Sequence, residues 1–190
     1  MSIVIVDSGG ANLRSIKNAF EKISSQAVVS IDENIISNAD YVILPGVGSA
    51  QMVMQSLISN NLVNVIKSLT QPVLGICVGM QILFNSSEEQ NCKCLGLIND
   101  DIKKFNLPKD KAVPHMGWNK VIFESEQLLS NYYYFANSYY APITKDTTGI
   151  CEYGIEFSAT VQKDNFFGCQ FHPEKSSNSG IKFIQNFLKY

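Results

Sequence analysis

Gly75-Ile76-Cys77-Val78-Gly79-Met80-Gln81 follows the apolar run Pro72-Val73-Leu74 and precedes Ile82-Leu83-Phe84. The pattern reads as a buried strand turning sharply into a helix, with a cysteine at the apex. Glycines two residues to either side of Cys77 allow a turn that a β-carbon would obstruct. A helix starting just after Cys77 directs its first amides and its positive end at the sulfur, favouring the nucleophilic thiolate. The stretch therefore predicts a cysteine nucleophile at the carboxyl end of a sheet.

The chain around it has 190 residues, 45% of them apolar, enough for a single α/β domain spanning residues 1–190. Fifteen basic residues stand against 17 acidic ones with no basic run, which disfavours nucleic acid and anionic membrane surfaces as partners. Arg14 is the only arginine, so the chain cannot build a multi-arginine clamp for a phosphorylated substrate. No apolar run is long enough to span a bilayer, and the first strand, Ile3-Val4-Ile5-Val6, has no basic leader. An odd number of cysteines (Cys77, Cys92, Cys94, Cys151 and Cys169) fits free thiols in a reducing cytoplasm. Cys92-Lys93-Cys94 lacks a second ligand pair at metal spacing, and neither a metal nor a cofactor is expected.

Strand Ile3 to Val6, the loop Asp7-Ser8-Gly9-Gly10, a helix capped by Asn12 and carrying Leu13, Ile16, Phe20 and Ile23, and strands Ala27 to Ile31 and Tyr41 to Leu44 make up the first quarter. Leu62, Val65, Ile66 and Leu69 mark a helix before the Cys77 strand. Such alternation predicts a mainly parallel sheet with helices on both faces and reactive loops at its carboxyl edge. After the polar stretch Asn85 to Lys93 the chain becomes β-rich, with strands expected at Trp118 to Phe123, Tyr132 to Tyr140, Gly149 to Tyr153, Phe157 to Val161 and Phe166 to Phe171. Lys163-Asp164-Asn165 reads as a hairpin turn, and Ser179-Gly180 as the opening of a final helix.

Of the two histidines, His115 and His172, the second ends a strand, precedes Pro173 and has Glu174 two residues on. Glu174 can fix the tautomer of that imidazole and stabilise its cation, so Cys77, His172 and Glu174 form a coherent triad. Singly, an apolar-flanked cysteine is usually core filling and a strand-end histidine a satisfied polar group; their pairing favours chemistry. Met52, Met54 and the Tyr132 to Tyr134 run read as packing or interface residues.

With Gln170-Phe171-His172-Pro173-Glu174, the Cys77 stretch resembles the class I, triad-type glutamine amidotransferases. Pro114-His115-Met116-Gly117-Trp118-Asn119, Pro45-Gly46-Val47-Gly48 and the extension Glu174-Lys175-Ser176 narrow the resemblance to the glutaminase subunits of imidazole glycerol phosphate synthases. The resemblance implies a single-domain, flavodoxin-like α/β fold. It implies that Cys77 attacks the carboxamide of L-glutamine, that His172 shuttles protons and that a glutamyl thioester is hydrolysed. It places the oxyanion amides at Val78 and Val47, and glutamine binding at Gly46, Gly48, Gln81, Ser138 and Tyr139. The ammonia would pass to a (β/α)8-barrel cyclase subunit of the HisF type, in a heterodimer that makes imidazole glycerol phosphate and aminoimidazole carboxamide ribotide for histidine biosynthesis. Asn12, Trp118, Tyr134 and Lys175 match family positions at that subunit interface. Ser8, Ala11, Ala50 and Asn137 depart from the family pattern, mostly near the expected partner face or substrate pocket, which opens the question of which synthase is fed. The close alternative is a paralogue feeding a surface-sugar amidotransferase. The alternatives of other classes are a regulatory subunit that binds glutamine without hydrolysing it and a stand-alone cysteine hydrolase acting on another amide.

Overall fold

Strand β1 (Ile3–Val6) is buried along its whole length and lies at the centre of a parallel unit. The computed structural model describes residues 1–9, 12–23, 26–46, 48–123 and 130–190. From β1 the chain passes through helix α1 (Leu13–Glu21) to β2 (Ala27–Ser30), then through α2 (Glu33–Ser37) to β3 (Tyr41–Gly46) on the other side of β1. Helices α3 (Ala50–Ser59) and α4 (Leu62–Ser68) lead on to β4 (Val73–Cys77), parallel to β3. Right-handed crossovers that step first one way and then the other put α1 on one face and α2, α3 and α4 on the opposite face. The contacts agree: α2, α3 and α4 pack as one group, while α1 meets the turn 173–175. The step reverses between β1 and β3, and in such sheets ligand sites form beyond the carboxyl ends of the strands.

Beyond β4 come the short helix α5 (Val78–Gln81), then β5 (Phe84–Ser87), β6 (Cys92–Lys93) and β7 (Ile98–Lys104). The remaining elements are β8 (His115–Phe123), β9 (Asn131–Asn137), β10 (Tyr139–Tyr140), β11 (Thr147–Glu152), β12 (Glu156–Lys163), β13 (Phe166–Cys169) and α6 (Ser177–Phe187). Among the described residues the main sheet runs β2-β1-β3-β4-β13-β12-β11-β8-β9, and a second sheet runs β10-β7-β5-β6. The main sheet is mixed, parallel from β2 to β13 and antiparallel from β13 to β9. Lys163 and Phe166 pair across the turn expected at Asp164-Asn165.

Several local expectations change. The helix after Cys77 is short and ends at Gln81, and Phe84 pairs with Ile98 in the second sheet. The polar stretch Asn85 to Lys93 contains strands of that sheet, and β8 begins at His115, three residues before Trp118. The strand expected at Tyr132 to Tyr140 is two, β9 and β10, and α6 opens at Ser177 rather than Ser179. Asn12 occupies the N-cap position of α1 without capping it.

The glycines of the elbow also act differently. The positive φ belongs to Cys77 itself, at φ 56° and ψ −111°, a backbone region that costs an L-residue energy and is found where a surrounding fold imposes it. Gly79 is required because a β-carbon there would collide with the Leu44 carbonyl, and Gly75 because one would collide with the Gly79 carbonyl. Close packing of α5 against β3 and β4 thus holds Cys77 in its strained position.

Candidate active site

Parallel pairing of β13 with β4 sets the site. Cys169 lies opposite Ile76, so the chain beyond β13 runs on beside Cys77. Gln170, fully buried, donates from Nε2 to Cys77 Sγ at 3.6 Å. His172 follows two residues later, and its backbone is clipped to the edge strand β9: His172 N–H donates to the Tyr134 carbonyl at 2.8 Å, and Ser176 Oγ donates to the His172 carbonyl at 2.6 Å while accepting Tyr134 N–H at 2.9 Å. Pro173 opens a tight turn over residues 173–175 that brings Glu174 back beneath the imidazole.

His172 Nδ1 lies 2.9 Å from Glu174 Oε1, with both side chains almost wholly buried. Burial pulls the imidazole pKa down, but hydrogen bonding and charge from Cys77 and Glu174 outweigh it and hold it at about 10. A histidine so placed is cationic at neutral pH, with Glu174 balancing its charge. Burial pushes the thiols of Cys94 and Cys151 up to about 12 and that of Cys169 well above its usual value. Cys77 is 5% exposed and lines a cavity.

That cavity, about 330 Å3, is lined by Gly46, Gly48, Cys77, Val78, Gln81, Ser138, Tyr139, His172 and Lys175 of the expected set, joined by Glu89, Pro114, Ala136 and Asn137. Val78 begins α5, whose first amides have no partner inside the helix, so its N–H is available to a developing oxyanion. Val47, expected as the second donor, lies outside the described residues, as does Ala11. Gln81 donates both to the Tyr139 carbonyl at 3.1 Å and to Gln170 Oε1 at 2.8 Å. Its amide protons thus orient Gln170 toward the sulfur. A larger cavity of about 610 Å3, between β13 and the end of α6, contains no member of the expected site.

The four expected interface residues gather around Glu174 and Lys175. Lys175 Nζ lies 5.9 Å above the Tyr134 ring, which meets Trp118 edge-on at 6.2 Å. Trp118 is 52% exposed, unlike a core tryptophan. Asn12 Nδ2 reaches Glu174 Oε1 at 2.8 Å, so it touches the triad itself. Ser8, at one of the departures, donates from its hydroxyl to the Pro45 carbonyl at 2.8 Å and tethers the end of β3.

Two functional contacts were missed from sequence. Gln170 sat inside the quoted Gln-Phe-His-Pro-Glu motif, and parallel pairing of its strand with the Cys77 strand was the signal that could have placed it at the sulfur. The sequence reads Asn12 as a helix cap and, by resemblance, as an interface position, and no local pattern ties it to Glu174, 162 residues away.

The arrangement can deliver a thiolate to a carbonyl, stabilise the oxyanion and return a proton to a leaving amine. Comparison with known proteins points to the same chemistry. Residues 4–190 match the family model described as glutamine amidotransferase class-I. The chain is 46% identical over 197 residues to an imidazole glycerol phosphate synthase subunit HisH from Shewanella sediminis (strain HAW-EB3), covering 98% of this chain and 90% of the relative. It is 45% identical to the subunit of that name from Escherichia coli (strain K12), with both chains covered in full. In fold it is similar to a crystal structure of a glutamine amidotransferase, with a TM-score of 0.79 at 14% identity, covering 100% of this chain and 98% of that one. It is likewise similar to PurLQS from Thermotoga maritima, with a TM-score of 0.72 at 18% identity, covering 100% and 97%. A nucleophile elbow seated against β13, a buried His-Glu pair and a family match along almost the whole chain agree, and the chain belongs to the class I glutamine amidotransferases.

Proposed function

We propose that this chain is the glutaminase subunit of an imidazole glycerol phosphate synthase, hydrolysing L-glutamine to glutamate and ammonia for histidine biosynthesis. The observation that carries it is the meeting of Cys77 and His172 at one cavity, with Glu174 on the far nitrogen of the imidazole, in a chain about 45% identical, end to end, to HisH subunits. The Cys77 thiolate attacks the carboxamide carbon, and the carbonyl oxygen becomes an oxyanion facing the Val78 amide, with Val47 the proposed second donor. With Nδ1 committed to Glu174, His172 Nε2 gives its proton to the departing nitrogen and ammonia leaves a glutamyl thioester. Neutral His172 then takes a proton from water, hydroxide attacks the thioester, and glutamate departs as the thiolate is restored. Gly46, Gly48, Gln81, Ser138 and Tyr139 shape the pocket for glutamine.

The proposed partner is a (β/α)8-barrel cyclase subunit, seated over Asn12, Trp118, Tyr134 and Lys175 to form a heterodimer. Ammonia released to water would be protonated and lost, so efficient transfer requires a sealed junction. The test is glutamate formation by the chain with its cyclase partner, together with labelling by an α-amino diazoketone that mimics glutamine. Labelling confined to Cys77 and loss of activity in Cys77→Ala are expected. Equal labelling of Cys92 or Cys94, or full activity in Cys77→Ala, overturns the assignment.

A further inference from the structure

We propose that His115 Nδ1 and Asn137 Oδ1 form a subsite for neutral ammonia at the edge of the glutamine cavity, an inference resting on the glutaminase function above. His115 and Asn137 lie directly opposite each other on antiparallel strands β8 and β9, and both are buried, at 3% and 5% exposure. Opposed residues of an antiparallel pair project to the same face with β-carbons about 5 Å apart. Neither His115 Nδ1 nor Asn137 Oδ1 has a hydrogen-bond partner among the described residues.

Hydrogen bonds fix which atom donates and which accepts. Asn119 Oδ1 accepts Lys120 N–H at 2.8 Å and its Nδ2 donates to the Glu152 carbonyl at 2.8 Å, which sets the amide orientation. The same Nδ2 lies 3.4 Å from His115 Nε2, so Nε2 is the acceptor and the proton of the neutral ring resides on Nδ1. Burial first, and the Lys111 charge second, lower the His115 pKa to about 4, leaving the ring neutral. The ring is clamped between Phe135 and Tyr153, with centroids 4.8 and 3.9 Å away. On the other strand, Asn137 Nδ2 donates to the Tyr139 carbonyl at 2.9 Å, so Oδ1 is the free acceptor.

A buried donor on β8 thus lies in register with a buried acceptor on β9, and Asn137 and Pro114, next to His115 in the chain, line the same cavity as Cys77. Leaving both unpaired costs energy, and a ligand that accepts one hydrogen bond and donates another relieves both. Neutral ammonia has the required lone pair and N–H groups. Ammonium has no lone pair and cannot accept from Nδ1–H. A pair of this kind holds the product in the form that can still act as a nucleophile.

The test is a titration of the 15N-labelled full chain with ammonium chloride, following the His115 Nδ1–H resonance by NMR and assigning it by its loss in His115→Phe. In alkaline buffer, where much of the added salt is neutral ammonia, a saturable shift is expected, with none from potassium chloride. In mildly acid buffer, where nearly all of it is ammonium, the resonance should stay in place. No response in alkaline buffer means a bridging water only and overturns the proposal, as does an equal response in acid. Asn137→Leu should abolish the shift, and Asn137→Ser serves if leucine prevents folding; a shift that persists without the Asn137 acceptor also overturns it. Absence of glutamate formation by the wild-type complex would refute the glutaminase function and leave the titration result standing on its own.

Discussion

Asn12 donates from Nδ2 to Glu174 Oε1 at 2.8 Å, the same carboxylate oxygen that receives His172 Nδ1 at 2.9 Å. The loop after β1 therefore holds one corner of the proposed triad, and the second oxygen, Oε2, is buried without a partner among the described residues. With a single oxygen carrying both contacts, loss of the Asn12 bond frees the carboxylate to rotate. Asn12→Ala should lower kcat for glutamine hydrolysis about tenfold with little change in KM, since a charge-assisted bond is removed from a positioning group. Asn12→Asp should cost a further ~10-fold, because a second carboxylate then faces Glu174. Steady-state glutamate formation by the complex measures both; equal kcat in all three proteins would show that Asn12 does not position Glu174.

Gln170 gives a second expectation. Its Nε2 is a hydrogen-bond donor to the Cys77 sulfur, the proposed nucleophile, and is held in place by Gln81. Gln170→Leu keeps most of the volume but removes the donor and strands a Gln81 proton. Alkylation of Cys77 by iodoacetamide at neutral pH should slow about tenfold, with a comparable loss in kcat. Gln170→Glu should slow it at least as much, since it puts a negative charge beside the sulfur. Unchanged alkylation rates in both variants would remove Gln170 from the site.

The reach of the sequence differs between the two halves of the chain for a physical reason. Strands β1, β3 and β4 are buried on both faces and stand out as apolar runs bounded by glycine, proline or aspartate, so the parallel half and the Cys77 elbow are legible. Ile82, Leu83 and Phe84 are all fully buried, and a continuous apolar run carries no period to separate helix from strand. In β7 the buried residues Ile98 and Ile102 stand four apart in a polar segment, a spacing as compatible with a helix as with a strand. Cys77, His172 and Glu174 were legible because local motifs carry them. Asn12 with Glu174, and Gln170 with Gln81, meet only through the tertiary fold.

The two histidines should act on stability in opposite directions. His172 is raised in the folded chain to about 10 from an ordinary 6.5, so its stabilisation is complete below 6.5 and is lost as pH rises through about 10. His115 is lowered to about 4, so its neutral burial favours folding above 6.5 and that advantage is lost as pH falls toward about 4. Urea unfolding across pH should show the stability difference between wild type and His172→Gln shrinking toward alkaline pH. His115→Phe, which keeps the aromatic stack, should blunt the loss of stability in acid. The reverse pattern would contradict the charge states assigned to both rings.

Trp118, Tyr134 and Lys175 make up an aromatic and cationic cluster on the outer face of β8, β9 and the turn after His172. An exposed tryptophan beside a lysine has the character of a binding anchor, and a buried interface anchor of this type contributes more than ~1 kcal/mol. Lys175 is bonded in sequence to Glu174, and the Tyr134 backbone is hydrogen-bonded to the His172 and Ser176 segment. A partner pressing on this cluster therefore presses on the triad turn. Trp118→Ala should weaken complex formation by about tenfold or more in a calorimetric titration with the proposed cyclase partner, while the isolated variant keeps the wild-type circular dichroism spectrum. Lys175→Ala should bind with a smaller loss and uncouple glutamine hydrolysis from acceptor turnover, so that glutamate outpaces aminated product. Undiminished affinity in Trp118→Ala with full coupling in Lys175→Ala would move the partner to another face of the protein.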